Sequence, residues 1–298
     1  MTESCLRHLE KQTVEHTVIV SDNDSPDGTP DNVLRQFQHV RVVETGGNLG
    51  FPAACNRGAE AGTGDIVVLL NNDVDARPDF LERLVAPFED DAVGSAAALL
   101  VRPGEQLIDS IGLSVDATLS GYGRLEGRPV EEAGATRPLL TGPSGGAAAY
   151  RRTAWEQAGG LDQGVFIYME DLDLALRLQA AGWRAAAAPD AVGVHLGSAT
   201  MGRRSAWQRR QGGFSRGYFL RRYGVLRSRG ALRAAATEAV VVAGDALLSR
   251  DLAALRGRLA GWRAAAGKAK RPRPPSAAID AEIGFLDSLR RRRTSYSG

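Results

Sequence analysis

The sequence is poor in cysteine, in lysine and in long apolar runs. Its only cysteines are Cys5 and Cys55, which excludes a fold built on disulfides and favours a reducing cytoplasm. No apolar run approaches the ~20 residues that a membrane-spanning helix needs, and nothing near Met1 resembles a secretory signal. Since 43% of the 298 residues are hydrophobic, we expect a cytoplasmic globular protein with a sizeable core.

The net charge of +2 conceals a strong asymmetry along the chain. Residues 1–199 contain 15 Lys and Arg against 29 Asp and Glu, and residues 200–298 contain 22 against 6. The two parts therefore carry net charges of −14 and +16. We divide the chain into a domain at 1–199 and a basic, Arg- and Ala-rich helical extension at 200–298. Such an extension favours a polyanionic partner, whether nucleic acid, anionic lipid or a phosphorylated substrate.

Short apolar runs alternate with longer amphipathic ones in the first hundred residues. Strand patterns at residues 17–20, 40–43 and 65–70 are separated by helical patterns at 31–37 and 53–61. This alternation predicts an α/β fold with a mostly parallel sheet flanked by helices. Residues 102–143 have only a weak pattern, which predicts loops and at most a hairpin.

The most informative stretch is VVLLNNDVD at residues 67–75. A buried strand leads into two Asn and two Asp, and ligands of open α/β sheets bind at such strand ends. In extended chain Asp73 and Asp75 point to the same side, where two carboxylates can hold Mg²⁺ or Mn²⁺. The alternative is an acidic turn that only ends the strand.

Several motifs follow each other in a recognisable order and spacing. They lie at residues 20–29, 47–51, 56–58, 70–75, 159–162, 166–174, 181–184 and 189–195. Together they resemble the family 2 glycosyltransferases, in particular the rhamnosyltransferase-like branch, over about residues 4–225. The resemblance implies a GT-A fold, a divalent cation, and transfer of a sugar from a nucleotide diphosphate sugar to an acceptor hydroxyl with inversion.

The resemblance also implies the positions that bind the donor and the metal. Asp22 with Asn23 matches the group that binds the base or ribose, and Asp73 and Asp75 match the metal-binding pair. His195 completes the metal shell or is an ordinary hydrogen-bonded histidine. The implied donor-binding set is Asp22, Asn23, Asn48, Gly50, Arg57, Asn72 and Asp73.

By the same resemblance, Asp171 is the general base, and Glu170 orients donor or acceptor. The acids that open this predicted helix, however, also suit the positive end of a helix dipole. Trp183 is a candidate for stacking on a sugar face, although aromatic residues beside a helix are more often core.

One family element is missing from the pattern. Residues 6–12 already match the helix that follows the family's first strand. Either the true start lies upstream of Met1, or the chain is an impaired remnant that still binds nucleotide sugar. We favour the first explanation, and expect a form extended by about 15–20 residues to be more stable and to bind nucleotide better, because the first strand is central in such sheets.

The basic extension interleaves arginines with aromatic residues. The arginines are Arg203, Arg204, Arg209, Arg210, Arg216, Arg221 and Arg222, and the aromatic residues are Trp207, Phe214, Tyr218 and Phe219. This composition suits an anionic membrane surface, consistent with the polyprenyl-linked or glycan acceptors of related enzymes. A nucleic-acid partner is less favoured, and a solvated arginine-rich surface is the simplest alternative. We therefore expect a cytoplasmic enzyme, peripheral at the inner face of the plasma membrane, that builds cell-envelope polysaccharide.

Overall fold

A computed structural model describes residues 1–197 and 205–294, and the side chains of all of these except 293 and 294. Arg203 and Arg204 lie outside the described residues. The helices are α1 Thr2–Leu9, α2 Thr29–Gln36, α3 Phe51–Ala61, α4 Phe80–Val85, α5 Arg152–Ala158, α6 Glu170–Ala180, α7 Ala206–Arg222, α8 Ala231–Ser249, α9 Ala253–Ala264 and α10 Phe285–Thr294. The strands are β1 Ile19–Asp22, β2 Arg41–Glu44, β3 Ile66–Leu70, β4 Val74–Ala76, β5 Val93–Val101, β6 Ile108–Ser110, β7 Leu113–Val115, β8 Gly121–Gly123, β9 Ala147–Arg151 and β10 Arg184–His195.

The main sheet has six strands in the order β3-β9-β5-β10-β4, with β6 paired to β5. The α/β class is confirmed, but the sheet is mixed rather than mostly parallel. Only β5 and β10 run parallel in it, whereas β3–β9, β5–β9, β4–β10 and β5–β6 are antiparallel. The prediction erred because β4 and β9 are reached through loops, and only a crossover connection forces neighbouring strands to run parallel.

The strands β1 and β2 form a parallel two-stranded sheet of their own. Among the described residues no strand joins β1 to β3, so both are edge strands. The helix α3 packs against β1, since Ser21 Oγ donates to the Ala54 carbonyl at 2.7 Å.

The core lies on both faces of β5, whose nine residues are all buried. One face packs on Phe80 and Leu84 of α4. On the other side of the sheet, Tyr150 of β9 packs with Leu174 and Leu178 of α6. The sheet and α6 thus hold rigidly the two strand ends and the helix start that carry the predicted site.

The residues after 205 form long helices that pack on this body. Leu172 and Leu176 of α6 contact Phe219, Leu220 and Tyr223. The extension is helical as the sequence predicts, and its two longest helices are α7 with 17 residues and α8 with 19. None of the helices within 1–197 and 205–294 combines the length and the apolar character required to cross a bilayer.

Candidate active site

The carboxyl end of β3 and the start of α6 are joined by a glycine turn. Because β9 runs antiparallel to β3, with Leu70 opposite Ala147, the turn before β9 lies beside Asn71. The Asn71 N–H donates to the Gly146 carbonyl at 3.0 Å, and the Gly145 N–H donates to Asp171 Oδ2 at 3.0 Å. The backbone therefore brings Asp171 to the strand end that carries the asparagine and aspartate run.

A second carboxylate lies with a histidine at the same edge. Since β4 pairs with β10, His195 stands opposite Val74, and its Nε2 is 3.3 Å from Asp73 Oδ2. Its Nδ1 is 2.7 Å from Asp109 Oδ2 of β6. Hydrogen bonds to Asp109 and Asp73 raise the pKa of His195 to about 10, and the bond to His195 lowers the pKa of Asp73.

Asp75 does not join this group. Its Oδ1 accepts from Ser4 Oγ at 2.8 Å and lies 3.2 Å from His8 Nδ1, both on α1. The expectation that Asp73 and Asp75 point to the same side assumes extended chain, but the Val74 N–H donates back to the Asn71 carbonyl at 3.2 Å, which forms a turn. Asn72 also contacts α1, since its amide donates to Thr2 Oγ1 at 2.8 Å.

The fit of these residues to a divalent cation is therefore partial. Within 1–197 and 205–294 no three His, Cys, Asp or Glu side chains converge as a metal site. Asp73 Oδ1 is nonetheless buried and has no hydrogen-bond partner in the described structure. One carboxylate, together with the imidazole of His195 once it has lost its proton, suits Mg²⁺ or Mn²⁺ when a phosphorylated ligand supplies further oxygens.

Glu170 and Asp171 begin α6 after two residues in the left-handed region, Tyr168 at φ 73° and Met169 at φ 67°. Such backbone is costly for residues with a Cβ and is concentrated at functional sites. Glu170 is buried, and its Oε2 has no partner among the described residues. Asp171 is half-buried, and its Oδ1 accepts from the Leu172 N–H at 2.7 Å.

The two carboxyl groups differ in the surroundings that set their pKa values. Burial and then the charge of Asp171 raise the pKa of Glu170 to about 8. Burial also raises the pKa of Asp171, but hydrogen bonds from Gly145 and Leu172 oppose that shift. Burial thus favours the protonated form of Glu170, whereas the two backbone hydrogen bonds favour the charged form of Asp171.

The predicted donor residues Asp22, Asn23 and Asn48 form one hydrogen-bonded loop cluster. Asp22 Oδ2 accepts from the backbone of Asp24 and Ser25, each at 3.1 Å. Asn23 Oδ1 accepts from the Leu49 N–H at 2.9 Å, and its Nδ2 donates to Asn48 Oδ1 at 3.1 Å. These bonds fix the loop after β1 to the loop before α3.

An open cavity of about 220 Å³ lies beside this cluster. Its lining includes Asp22, Asp24, Asp31 and Glu44 together with Gly46 and Gly47. The many carboxylates suit a ligand that offers hydroxyl and N–H donors, as a nucleoside does, better than they suit a phosphate.

Gly50 connects the loop cluster to the segment before α6. Its φ is 89°, and a Cβ there would lie 2.4 Å from the Phe166 carbonyl oxygen. The Phe51 N–H donates to that same oxygen at 2.9 Å. The start of α3 therefore packs directly on the segment that leads to Glu170 and Asp171.

Two predicted residues lie apart from these contacts. Arg57 is exposed on α3. Trp183 follows the far end of α6, about 16 Å along the helix from its first residue, where its indole N–H donates to Gln157 Oε1 at 2.7 Å and its side chain packs on Gly94. The structure does not bring Trp183 to Asp171.

Two residues at the site have no role in the sequence prediction. Asp109 lies in the weakly patterned segment 102–143, so no sequence signal identifies it. Gly145 lies in the glycine-rich run at 142–146, which reads as a plain turn before a strand. Its position beside Asp171 follows only from the pairing of β3 with β9.

Comparison with known proteins identifies the family. A model described as glycosyl transferase family 2 matches residues 1–159, and one described as glycosyl transferase family group 2 matches residues 134–260. The N-acetylglucosaminyl-diphospho-decaprenol L-rhamnosyltransferase of Mycobacterium tuberculosis is 31% identical over 216 residues, which is 63% of this chain and 68% of that protein. The O-antigen biosynthesis protein RfbC of Myxococcus xanthus is 28% identical over 61% of this chain and 15% of its own length.

Solved structures agree on the fold. The mannosyltransferase PcManGT of Pyrobaculum calidifontis, in complex with GDP-Man and Mn²⁺, has a TM-score of 0.51 and 22% identity, with 90% of this chain and 82% of that chain covered. GalNAc-T7 with UDP, GalNAc and Mn²⁺ has a TM-score of 0.54 and 14% identity, with 97% of this chain and 54% of that chain covered. The chain is thus a glycosyltransferase with a GT-A fold and belongs to glycosyl transferase family 2.

Proposed function

We propose that this glycosyltransferase transfers a sugar, with rhamnose the first candidate, from a nucleotide diphosphate sugar to an acceptor hydroxyl with inversion. The acceptor is a glycan or a polyprenyl-linked saccharide of the cell envelope. The observation that carries the proposal is the position of the Asp171 carboxyl group, which accepts a hydrogen bond from the Gly145 N–H beside the strand end that leads to Asp73. The sugar and acceptor class are those in the name of the relative from Mycobacterium tuberculosis.

Asp171 takes the proton of the acceptor hydroxyl. A hydroxyl is a weak nucleophile until its proton leaves, and a positioned carboxylate contributes typically 10²–10⁴-fold to the rate. Glu170, whose pKa burial raises to about 8, orients a hydroxyl of donor or acceptor through its Oε2, which has no hydrogen-bond partner among the described residues. The Gly145 bond orients the Asp171 carboxylate without neutralising it.

The donor is bound across the two loops and the end of β3. Asp22, Asn23, Asn48 and Gly50 position the nucleoside beside the acidic cavity, and Asn72, Asp73 and Arg57 are assigned to the diphosphate side. Asp73 and His195 would hold Mg²⁺ or Mn²⁺, and Asp75 would join them only after leaving Ser4 and His8. When bound, the cation supplies charge neutralisation of the diphosphate leaving group. The Mn²⁺ in two structures of the same fold supports this assignment.

A donor screen tests the proposal. The protein is incubated with UDP-, dTDP- and GDP-sugars, Mn²⁺ or Mg²⁺, and a short polyprenyl diphosphate-linked N-acetylglucosamine. We expect cation-dependent transfer from one donor, with the anomeric configuration of the product opposite to that of the donor by NMR.

Retention of configuration would contradict the inverting mechanism. Tight nucleotide-sugar binding without turnover for any donor would instead identify the chain as an impaired remnant. In that case the contact of α1 with Asp75 would be the first place to look for the cause.

A further inference from the structure

The outer face of α8 is apolar and exposed to solvent. Leu232 is 88% exposed, Val240 50% and Leu247 78%, and Ala236 and Ala243 are exposed between them. The spacing of 232, 236, 240, 243 and 247 places all five on one side of the helix. Leu248, which is 85% exposed, extends this face at the end of α8.

The charged residues of α8 face the protein instead. Glu238 is buried and accepts from Arg216 of α7, Arg258 of α9 and Arg292 of α10. Asp245 is paired with Arg209 of α7 at 3.4 Å. A surface helix of a soluble protein normally has the opposite orientation, and a long exposed apolar face marks an interaction surface.

The rim of this face is cationic. Arg227 and Arg229 precede α8, and Arg250 and Arg256 follow it, all exposed. The one remaining acid in residues 226–256, Asp251, is bound to Arg209. The face therefore combines large apolar side chains with positive charge.

We propose that the outer face of α8, with Leu232, Val240, Leu247 and Leu248, lies on an anionic lipid surface. The helix is about 28 Å long and would lie flat, with leucines among the acyl chains and arginines on the headgroups. The proposal rests on the proposed lipid-linked acceptor. A symmetric dimer through this face would bring the same cationic rims together, which disfavours a second copy of the chain.

This surface differs from the one predicted from the sequence. Of the arginines and aromatic residues proposed there, Arg216 and Arg222 are buried in ion pairs with Glu238 and Asp162. Tyr218 and Phe219 are buried as well. The neighbouring helix α8 offers the exposed apolar face that α7 lacks.

Sedimentation of the full chain with vesicles tests the proposal. The vesicles contain phosphatidylcholine alone or with phosphatidylserine. We expect sedimentation only with the anionic vesicles, and a loss of at least about tenfold in partitioning for L247Q/L248Q, since each leucine buries its side chain in lipid. R250Q/R256Q lowers binding at low salt, and L34Q, which changes an exposed leucine of α2 (51% exposed), leaves it unchanged.

The proposal is overturned if L247Q/L248Q sediments with anionic vesicles as the native chain does. It is also overturned if the native chain does not sediment with them. A concentration-dependent dimer that L247Q/L248Q abolishes assigns the face to a second copy and also overturns it. Donor hydrolysis with water as acceptor, measured without vesicles, reports on the proposed function separately. Vesicle binding without hydrolysis therefore counts against the proposed function and leaves the lipid surface standing.

Discussion

Glu170 and Asp171 are neighbours at the start of one helix, yet their surroundings give them different proton affinities. Asp171 accepts two backbone hydrogen bonds, which stabilise its charged form. Glu170 is buried and its Oε2 has no partner in the described structure, so its neutral form is favoured. This difference in surroundings is what the proposed roles, Asp171 as base and Glu170 as hydrogen-bond donor, require.

The first prediction concerns the pH dependence of stability. The pKa of Glu170 is about 8 in the folded chain and about 4.3 when unfolded. Between these two pH values Glu170 is protonated in the folded chain and ionised in the unfolded chain. The free energy of unfolding therefore falls as the pH rises from about 4.3 to about 8. We expect this loss of stability, which is a few kcal/mol at most, to be absent in the variant E170Q. Melting temperatures of both proteins between about pH 5 and pH 9 measure it, and parallel curves would refute the assignment.

The second prediction concerns Asp109 as a positioning residue. Its bond to His195 Nδ1 directs Nε2 towards Asp73, as carboxylates behind metal-bound histidines commonly do. D109N should lower Mn²⁺ affinity by about 10–100-fold, measured by calorimetry in the presence of nucleoside diphosphate. The variant D190N, at an exposed aspartate of β10, serves as the control. Equal affinities for D109N and D190N would show that Asp109 has no such role.

At the scale of elements, hydrophobic periodicity predicts the strands and helices that depend on local sequence alone. The predicted strand at 65–70 and helix at 53–61 correspond to β3 and α3. The first half of β10 is rich in alanine, which is depleted in strands, and β10 lies between β4 and β5 in the sheet. The contact of His195 with Asp109 depends on that long-range pairing, so no local pattern could reveal it.

The third prediction concerns the C-terminal helices. Glu238 of α8 binds arginines of three other helices, and these arginines lower its pKa despite burial. E238Q leaves three buried cations without their carboxylate and should lower the free energy of unfolding by about 3–5 kcal/mol. Urea denaturation measures it, with E3Q in the exposed Glu3–Arg7 pair as the control. If E238Q were no less stable than E3Q, this cluster would not hold the helices together.

At the scale of the molecule, part of the charge asymmetry is neutralised by ion pairs between the basic and the acidic parts of the chain. Arg222 and Arg271 of the basic part bind Asp162 and Asp173 of the acidic part. Composition predicts a polyanionic partner for residues 200–298, but it cannot distinguish arginines that face carboxylates of the same chain from those left on the surface. Arg271 shows this most clearly, since it lies in the Pro- and Lys-rich run at 268–275 that reads as an exposed linker.

The family resemblance predicts some properties of the whole molecule but not others. It gives the order of the motifs, and hence the fold and the glycosyltransferase activity. It does not give the contacts of α1 with Asp75 and Asn72, because they depend on how α1 packs against the end of β3 in the folded chain. The roles proposed for Asp73 in cation binding and for Asp171 as base are therefore tested on this protein.

Donor binding and turnover in D73N and D171N test the central claim most directly. Calorimetry measures nucleotide sugar binding with Mn²⁺, and nucleoside diphosphate release measures turnover in the presence of acceptor. We expect D73N to lose cation-dependent donor binding, and D171N to bind donor as the native chain does while turnover falls about 10²–10⁴-fold. Native turnover in D171N, or unchanged Mn²⁺-dependent binding in D73N, would contradict the account.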